Sequence, residues 1–136
     1  MKVRDIMSRK AETVSPDEDA RAAFRKLESR KIDHLTVVEK GKPVGILSTT
    51  DYHSAVHHAE KGHKITAEMV FGGLSVRSLM TPDPVTTSPD ASLRSVASLM
   101  LERRIHAVPV VENGALTGIV STQDILASLA GGTLGL

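Results

Sequence analysis

The stretch Gly45-Ile46-Leu47-Ser48-Thr49-Thr50-Asp51 returns later in the chain as Gly118-Ile119-Val120-Ser121-Thr122-Gln123-Asp124. Outward from it, at the same offset, Val37-Val38-Glu39 matches Val110-Val111-Glu112 and Ser15-Pro16-Asp17 matches Ser88-Pro89-Asp90. Farther still, Val3-Arg4-Asp5-Ile6-Met7-Ser8 matches Val76-Arg77-Ser78-Leu79-Met80-Thr81. One offset that holds without a gap across all these motifs is a duplication, and it governs every later assignment. The repeats are drawn at 1–60 and 76–130, with a linker over 61–75 and a flexible tail over 131–136, the whole expected to form one compact module.

Within each repeat, local chemistry supplies the elements. Ser15 as an N-cap, Pro16 at the first helical position and Glu18 completing a capping box predict a helix starting there. Ala20, Ala23, Phe24 and Leu27 follow at helical spacing, and Leu93, Val96, Ala97 and Met100 hold the same phases in the second repeat, so each helix has one stripe to bury. β-rich runs follow at 35–38 and 44–47 around Lys40-Gly41-Lys42, and at 107–111 and 116–120 around Asn113-Gly114, a strong hairpin dipeptide. Segments 52–60 and 125–129 read as helices. Each repeat is therefore roughly strand, helix, strand, strand, helix. Between the repeats, Lys61-Gly62-His63 breaks the helix, 65–71 suits a short helical turn, and Gly72-Gly73 makes a joint.

Composition limits the function. The 136 residues carry a formal charge of +1, 40% hydrophobic residues and no cysteine. That size suits one compact domain or two very small ones. Disulfides, thiol nucleophiles and cysteine-ligated metals are excluded. With Phe24, Tyr52 and Phe71 as the sole aromatics, there is neither a basic stripe nor a base-stacking platform, which argues against nucleic acid. No apolar run approaches bilayer length, and the charged start Met1-Lys2-Val3-Arg4-Asp5 does not read as a secretory signal, so a cytoplasmic protein without membrane attachment is expected. No nucleophile elbow, Walker loop or dinucleotide-binding glycine turn occurs, so an enzyme is not expected.

Two copies, each opening on Val-Arg-x-hydrophobic-Met and closing on Gly-h-h-Ser-x-x-Asp (h, hydrophobic), resemble tandem CBS domains over nearly the whole chain. The resemblance implies an α/β (α+β) fold of two pseudo-symmetric β-α-β-β-α repeats, their sheets packed together with helices outside, leaving two clefts for adenosyl ligands. Residue chemistry supports such a site: a carboxylate can accept both hydroxyls of a ribose, and helix-start amides with a hydroxyl can hold phosphate. The same Asp51 and Asp124 could equally be helix-start carboxylates with no ligand, and Gly45 and Gly118 could serve close ligand approach, a bulge or a packing contact.

By that resemblance one site joins Gly45, Ser48, Thr50 and Asp51 to Thr87, Ile105, His106, Ala107 and Pro109. The other joins Gly118, Ser121, Gln123 and Asp124 to Val14, Ile32, Asp33, His34 and Leu35. The family's hydrophobic-Pro-Val element survives in Val108-Pro109-Val110 but is Leu35-Thr36-Val37 in the first repeat. Family members that hold phosphate tightly often carry an arginine just before this element; here the positions are Ala107 and His34, which argues against strong polyphosphate binding. The expected effector is an adenosyl ligand (AMP, ADP, ATP or S-adenosylmethionine), with no cofactor required, acting through a homodimer and an unknown effector protein. Two alternatives stay open: a ligand-free dimerisation or scaffold module, and a metal or pH sensor built on His53, His57 and His58, the first two one helical turn apart.

Overall fold

Helix α1 spans Ala20–Arg30, so the start expected at Ser15 is corrected: the N-cap is Asp19, whose side chain accepts from the Arg21 amide. Only half of the Ser15–Glu18 box forms: the Ser15 amide donates to Glu18 Oε2 at 2.9 Å, but Ser15 Oγ accepts from the Asp17 amide and the Glu18 amide donates to the Ser15 carbonyl, which closes a turn. The reason is long-range. The Pro16 carbonyl accepts from the Arg77 amide and the Glu18 carbonyl from the Val76 amide, both at 2.9 Å, so neither is available to a helical ladder. The second repeat behaves alike, its helix beginning at Leu93 under an N-cap from Ser92.

This computed structural model describes residues 1–59 and 71–131. The expected break at Lys61-Gly62-His63, the turn over 65–71 apart from Phe71, and the tail beyond Gly131 lie outside the described residues. After a 3-10 turn at Val3–Asp5, the elements are β1 Thr13–Val14, α1, β2 His34–Glu39, β3 Lys42–Ser48, α2 Thr49–Ala59, α3 Val76–Leu79 and β4 Thr81–Pro82. They continue as α4 Leu93–Arg103, β5 Ala107–Glu112, β6 Ala115–Ser121 and α5 Thr122–Ala130. Both expected hairpins form. Lys40-Gly41 and Asn113-Gly114 each take positive φ at both positions (53° and 79°, 53° and 80°), the left-handed pair a two-residue turn needs.

The chain divides into two compact units that interleave the repeats: Glu12–Asp83, and Met1–Ala11 with Pro84–Leu136. In the Glu12–Asp83 unit, β1 pairs parallel with β2, β2 antiparallel with β3, and β3 antiparallel with β4, which comes from the second repeat. The other unit keeps this pattern around β5–β6 but thins its edges to bridges, Thr87 parallel to Val110 and Ser8 antiparallel to Ile119. Each repeat's opening segment thus packs on the body of the other repeat.

This exchange explains the duplicated Val-Arg-x-hydrophobic-Met motif residue by residue. Val76 is fully buried with Phe24, Leu27, Leu35, Val37, Leu47 and Phe71, and Val3 with Val96, Met100, Val108, Val110 and Val120. Arg77 reaches Asp17 at 3.7 Å and Glu39 at 2.9 Å. Its counterpart Arg4 hydrogen-bonds Asp90 and so holds that carboxyl below its ordinary range. Methionine and serine end the motif against a glycine. A Cβ on Gly45 would lie 2.5 Å from Met80 Sδ, and one on Gly118 would lie 2.6 Å from the Ser8 carbonyl oxygen. Of the three readings left open for these glycines, the packing contact is met at both, and so is the strand irregularity: the register shifts next to Gly45, between Val37 and Val38, and next to Gly118, between Val110 and Val111.

Candidate ligand site

Each unit ends its central hairpin at a strand-to-helix junction, and the Ser-x-x-Asp spacing decides its geometry. Ser48 Oγ accepts from the Asp51 amide at 3.3 Å, while Asp51 Oδ2 accepts from the Ser48 amide at 2.8 Å and from Ser48 Oγ at 3.1 Å. Ser121 and Asp124 repeat the arrangement at 3.2, 2.8 and 3.0 Å. These are reciprocal capping boxes in which one aspartate oxygen carries both bonds. The other oxygen, Oδ1, has no hydrogen-bond partner among the described residues, so each carboxylate is fixed in place with an accepting atom to spare.

Backbone pairing gathers the remaining candidates around these junctions, unit by unit. In the Glu12–Asp83 unit His34 lies opposite Ser48 and Leu35 opposite Leu47, and the Thr49 amide donates to the Asp33 carbonyl at 3.1 Å. Val14 lies beside Val37 on β1. Ile32 packs against the unit's core, and Thr50 is exposed on the first turn of α2. In the second unit Ala107 lies opposite Ser121 and Pro109 opposite Ile119. There the Thr122 amide donates to the His106 carbonyl at 2.9 Å and the Thr87 amide to the Pro109 carbonyl at 3.0 Å. Ile105 packs at that core and Gln123 is exposed. Within each unit, backbone pairing thus sets strand residues of the same repeat beside its serine.

The two faces differ in polarity. Leu35, Val37 and Leu47 point into the core, so alternation turns His34, Thr36, Ile46 and Ser48 to the opposite face of the sheet. Thr36 is fully buried, yet its Oγ1 has no hydrogen-bond partner among the described residues. A hydroxyl left so costs about 1–3 kcal/mol. The equivalent positions in the second unit, Ala107 and Pro109, are buried and carry no polar side-chain atom. The sequence exposes the Thr36 substitution, but only the structure reveals a buried hydroxyl there.

His53 and His57 are exposed on α2, and the His58 side chain lies outside the described part. Among the described residues no group of three or more His, Asp or Glu is placed to hold a metal ion. No helix among them is long and apolar enough to cross a membrane.

The CBS domain family model matches residues 3–58 and again 76–131, one match for each repeat. The chain belongs to the CBS domain family. Among solved structures, the CBS pair of protein MJ0100, in complex with 5'-methylthioadenosine and S-adenosyl-L-methionine, has a TM-score of 0.80 at 29% identity, covering 98% of both chains. CBSX2 in complex with AMP gives a TM-score of 0.80 at 25% identity, again covering 98% of each. Among curated proteins, the inosine-5'-monophosphate dehydrogenase of Korarchaeum cryptofilum is 32% identical over 124 residues, 90% of this chain but 22% of the enzyme. That similarity spans about a fifth of the enzyme and brings nothing of its activity to this CBS pair.

Proposed function

We propose that this CBS pair is a regulatory module that binds an adenosyl ligand at each Ser-x-x-Asp junction and performs no catalysis. The observation that carries this reading is the fixed aspartate with a spare oxygen, formed twice. Oδ1 accepts the ribose hydroxyls, the Ser48 or Ser121 turn and the following helix amides face the 5'-substituent, and the buried strand faces of β2 or β5 receive the base. AMP, S-adenosylmethionine and 5'-methylthioadenosine, ligands of the two related structures, are the first candidates, ahead of ADP and ATP because His34 and Ala107, not arginine, stand just before Leu35-Thr36-Val37 and Val108-Pro109-Val110.

Binding transmits a signal only through different affinities for two arrangements of the protein, about 1.4 kcal/mol for each tenfold preference. The receiver is an effector protein, and the assembly is a cytoplasmic homodimer joined through the helix faces that carry Leu101 and Leu126, 82% and 58% exposed. A ligand-free scaffold is the second reading, favoured by the fact that each capping box is a sufficient structural reason for its serine and aspartate. A thermal-shift titration with AMP, ADP, ATP, S-adenosylmethionine and a guanosine control separates the two. A ligand that binds only the folded state raises the melting temperature with dose. A dose-dependent rise with adenosyl ligands alone supports the sensor; none at millimolar concentration leaves the scaffold.

A further inference from the structure

The tip of the β5–β6 hairpin sets a side-chain amide beside a backbone amide that can attack it. Asn113 is the sole asparagine of the chain, and Gly114 follows it. Both are exposed, and both hold left-handed backbone, with φ of 53° and 80°. The register joins Glu112 directly to Ala115, so the Gly114 amide lies outside the ladder. A Cβ on Gly114 would meet nothing within 4 Å, so the space beside it is open. The tip is also lightly braced. Among the described residues, flanking segments pair with this hairpin only as far as Val111 on β5 and Ile119 on β6. In the first unit β4 and the Asp83 amide carry that support nearer the tip, to Val44. A hairpin end without such support is where local opening costs least.

We infer that Asn113 is a modification site, deamidated through its own backbone when the tip opens. The Gly114 nitrogen, its proton lost to base, attacks the Asn113 side-chain carbonyl carbon; ammonia leaves, and a succinimide ring closes. One water then opens the ring to aspartate or isoaspartate. The net change is amide plus water to acid plus ammonia, with no oxidant or cofactor. Aspartate tolerates the left-handed position as asparagine does. Isoaspartate instead carries the main chain through the side-chain carbon and adds a methylene to a two-residue turn, which no longer closes the Glu112–Ala115 pair. Lys40-Gly41 has the same backbone conformation and no side-chain amide, so the modification acts on one unit alone. The inference is independent of the adenosyl-binding reading.

The test holds the full, unliganded chain folded at mildly acidic and mildly alkaline pH, beside a denatured sample and freshly purified Asn113→Asp. With one asparagine in the chain, intact mass follows Asn113 directly. Peptide fragmentation separates aspartate from isoaspartate and excludes Gln123, the sole glutamine. The expected result is that the folded chain gains the mass of amide-to-acid conversion, faster at the higher pH in step with hydroxide. Isoaspartate appears at position 113, and the aged protein melts at a lower temperature than Asn113→Asp. Conversion in the denatured sample with none in the folded chain over the same period overturns the inference, because the turn then protects its asparagine. Conversion without isoaspartate, or an aged protein that melts like Asn113→Asp, overturns the effect on the hairpin.

Discussion

The Glu12–Asp83 unit and the unit formed by Met1–Ala11 with Pro84–Leu136 reach the same local geometry with different side chains. The Ser-x-x-Asp boxes agree to within 0.1 Å in all three hydrogen bonds. Around them nearly everything else has diverged. The first unit stacks Phe24, Tyr52 and Phe71 with ring centroids 4.8–5.4 Å apart, and the second fills its core with Met7, Met100 and valines. Thr36 and His34 stand where the second unit has Pro109 and Ala107, and Glu28 and His53 stand where it exposes Leu101 and Leu126. What both units keep is the opening segment taken from the other repeat, the glycine contact and the capped aspartate. What differs is the lining that would choose a ligand and the helix face that would choose a partner.

The largest effect should come from the aromatic core. Phe24→Ala is expected to cost about 3–5 kcal/mol of stability, while Val96→Ala at a comparably buried place in the second unit costs less, because fewer atoms are lost; chemical denaturation measures both. A second variant pair compares ligand binding. Asp51→Asn and Asp124→Asn should each weaken one site by about 1.5–3 kcal/mol, the scale of a charged hydrogen bond. The alanine variants should add a capping loss of about 0.5–2 kcal/mol to the unliganded protein, visible in thermal melts.

The glycine contacts predict an inequality. Gly118→Ala meets a backbone oxygen that cannot move aside, whereas Gly45→Ala meets first the flexible end of Met80. The former should therefore be the more destabilising, in a range of about 1–3 kcal/mol. Equal melting temperatures for the two variants would remove the packing account of these glycines.

The smallest effect is electrostatic. Asp90 is depressed by its hydrogen bond to Arg4 and by that residue's charge, so its contribution to stability is present above the ordinary carboxylate pKa and disappears as pH falls through the lowered folded value. Asp90→Asn should therefore lower stability slightly at neutral pH, leave it unchanged below the folded value, and so flatten the acid limb of a stability-against-pH curve. An acid limb that keeps its slope would assign the depression no energetic consequence.

The sequence was most legible where structure is decided locally. Asn113-Gly114 announces its hairpin because both residues tolerate left-handed backbone, and the stripe Ala20, Ala23, Phe24 and Leu27 is buried as its spacing implies. It was least legible where a distant segment intervenes. Ser15-Pro16 carries every local sign of a helix start, yet the amides of Val76 and Arg77 take the carbonyls that a helix would use. The exchange of opening segments is hidden for the same reason, since repeats are contiguous in sequence while the units are not. Arg4–Asp90 and Arg77–Asp17 could have been found as pairs: each joins the Val-Arg motif of one repeat to the Ser-Pro-Asp motif of the other. For the ligand site the motif marked Ser48, Asp51, Ser121 and Asp124. Which strand residues lie opposite each serine depends on hairpin register, and the burial of the Thr36 hydroxyl depends on packing; neither is written in a motif.

The most direct test of the central claim is isothermal titration calorimetry of AMP into the unmutated chain, Asp51→Asn and Asp124→Asn, with guanosine monophosphate as control. The account predicts saturable heat with AMP and not with the control, and loss of one binding event in each variant. No heat in the unmutated chain, or isotherms identical in all three proteins, would contradict it.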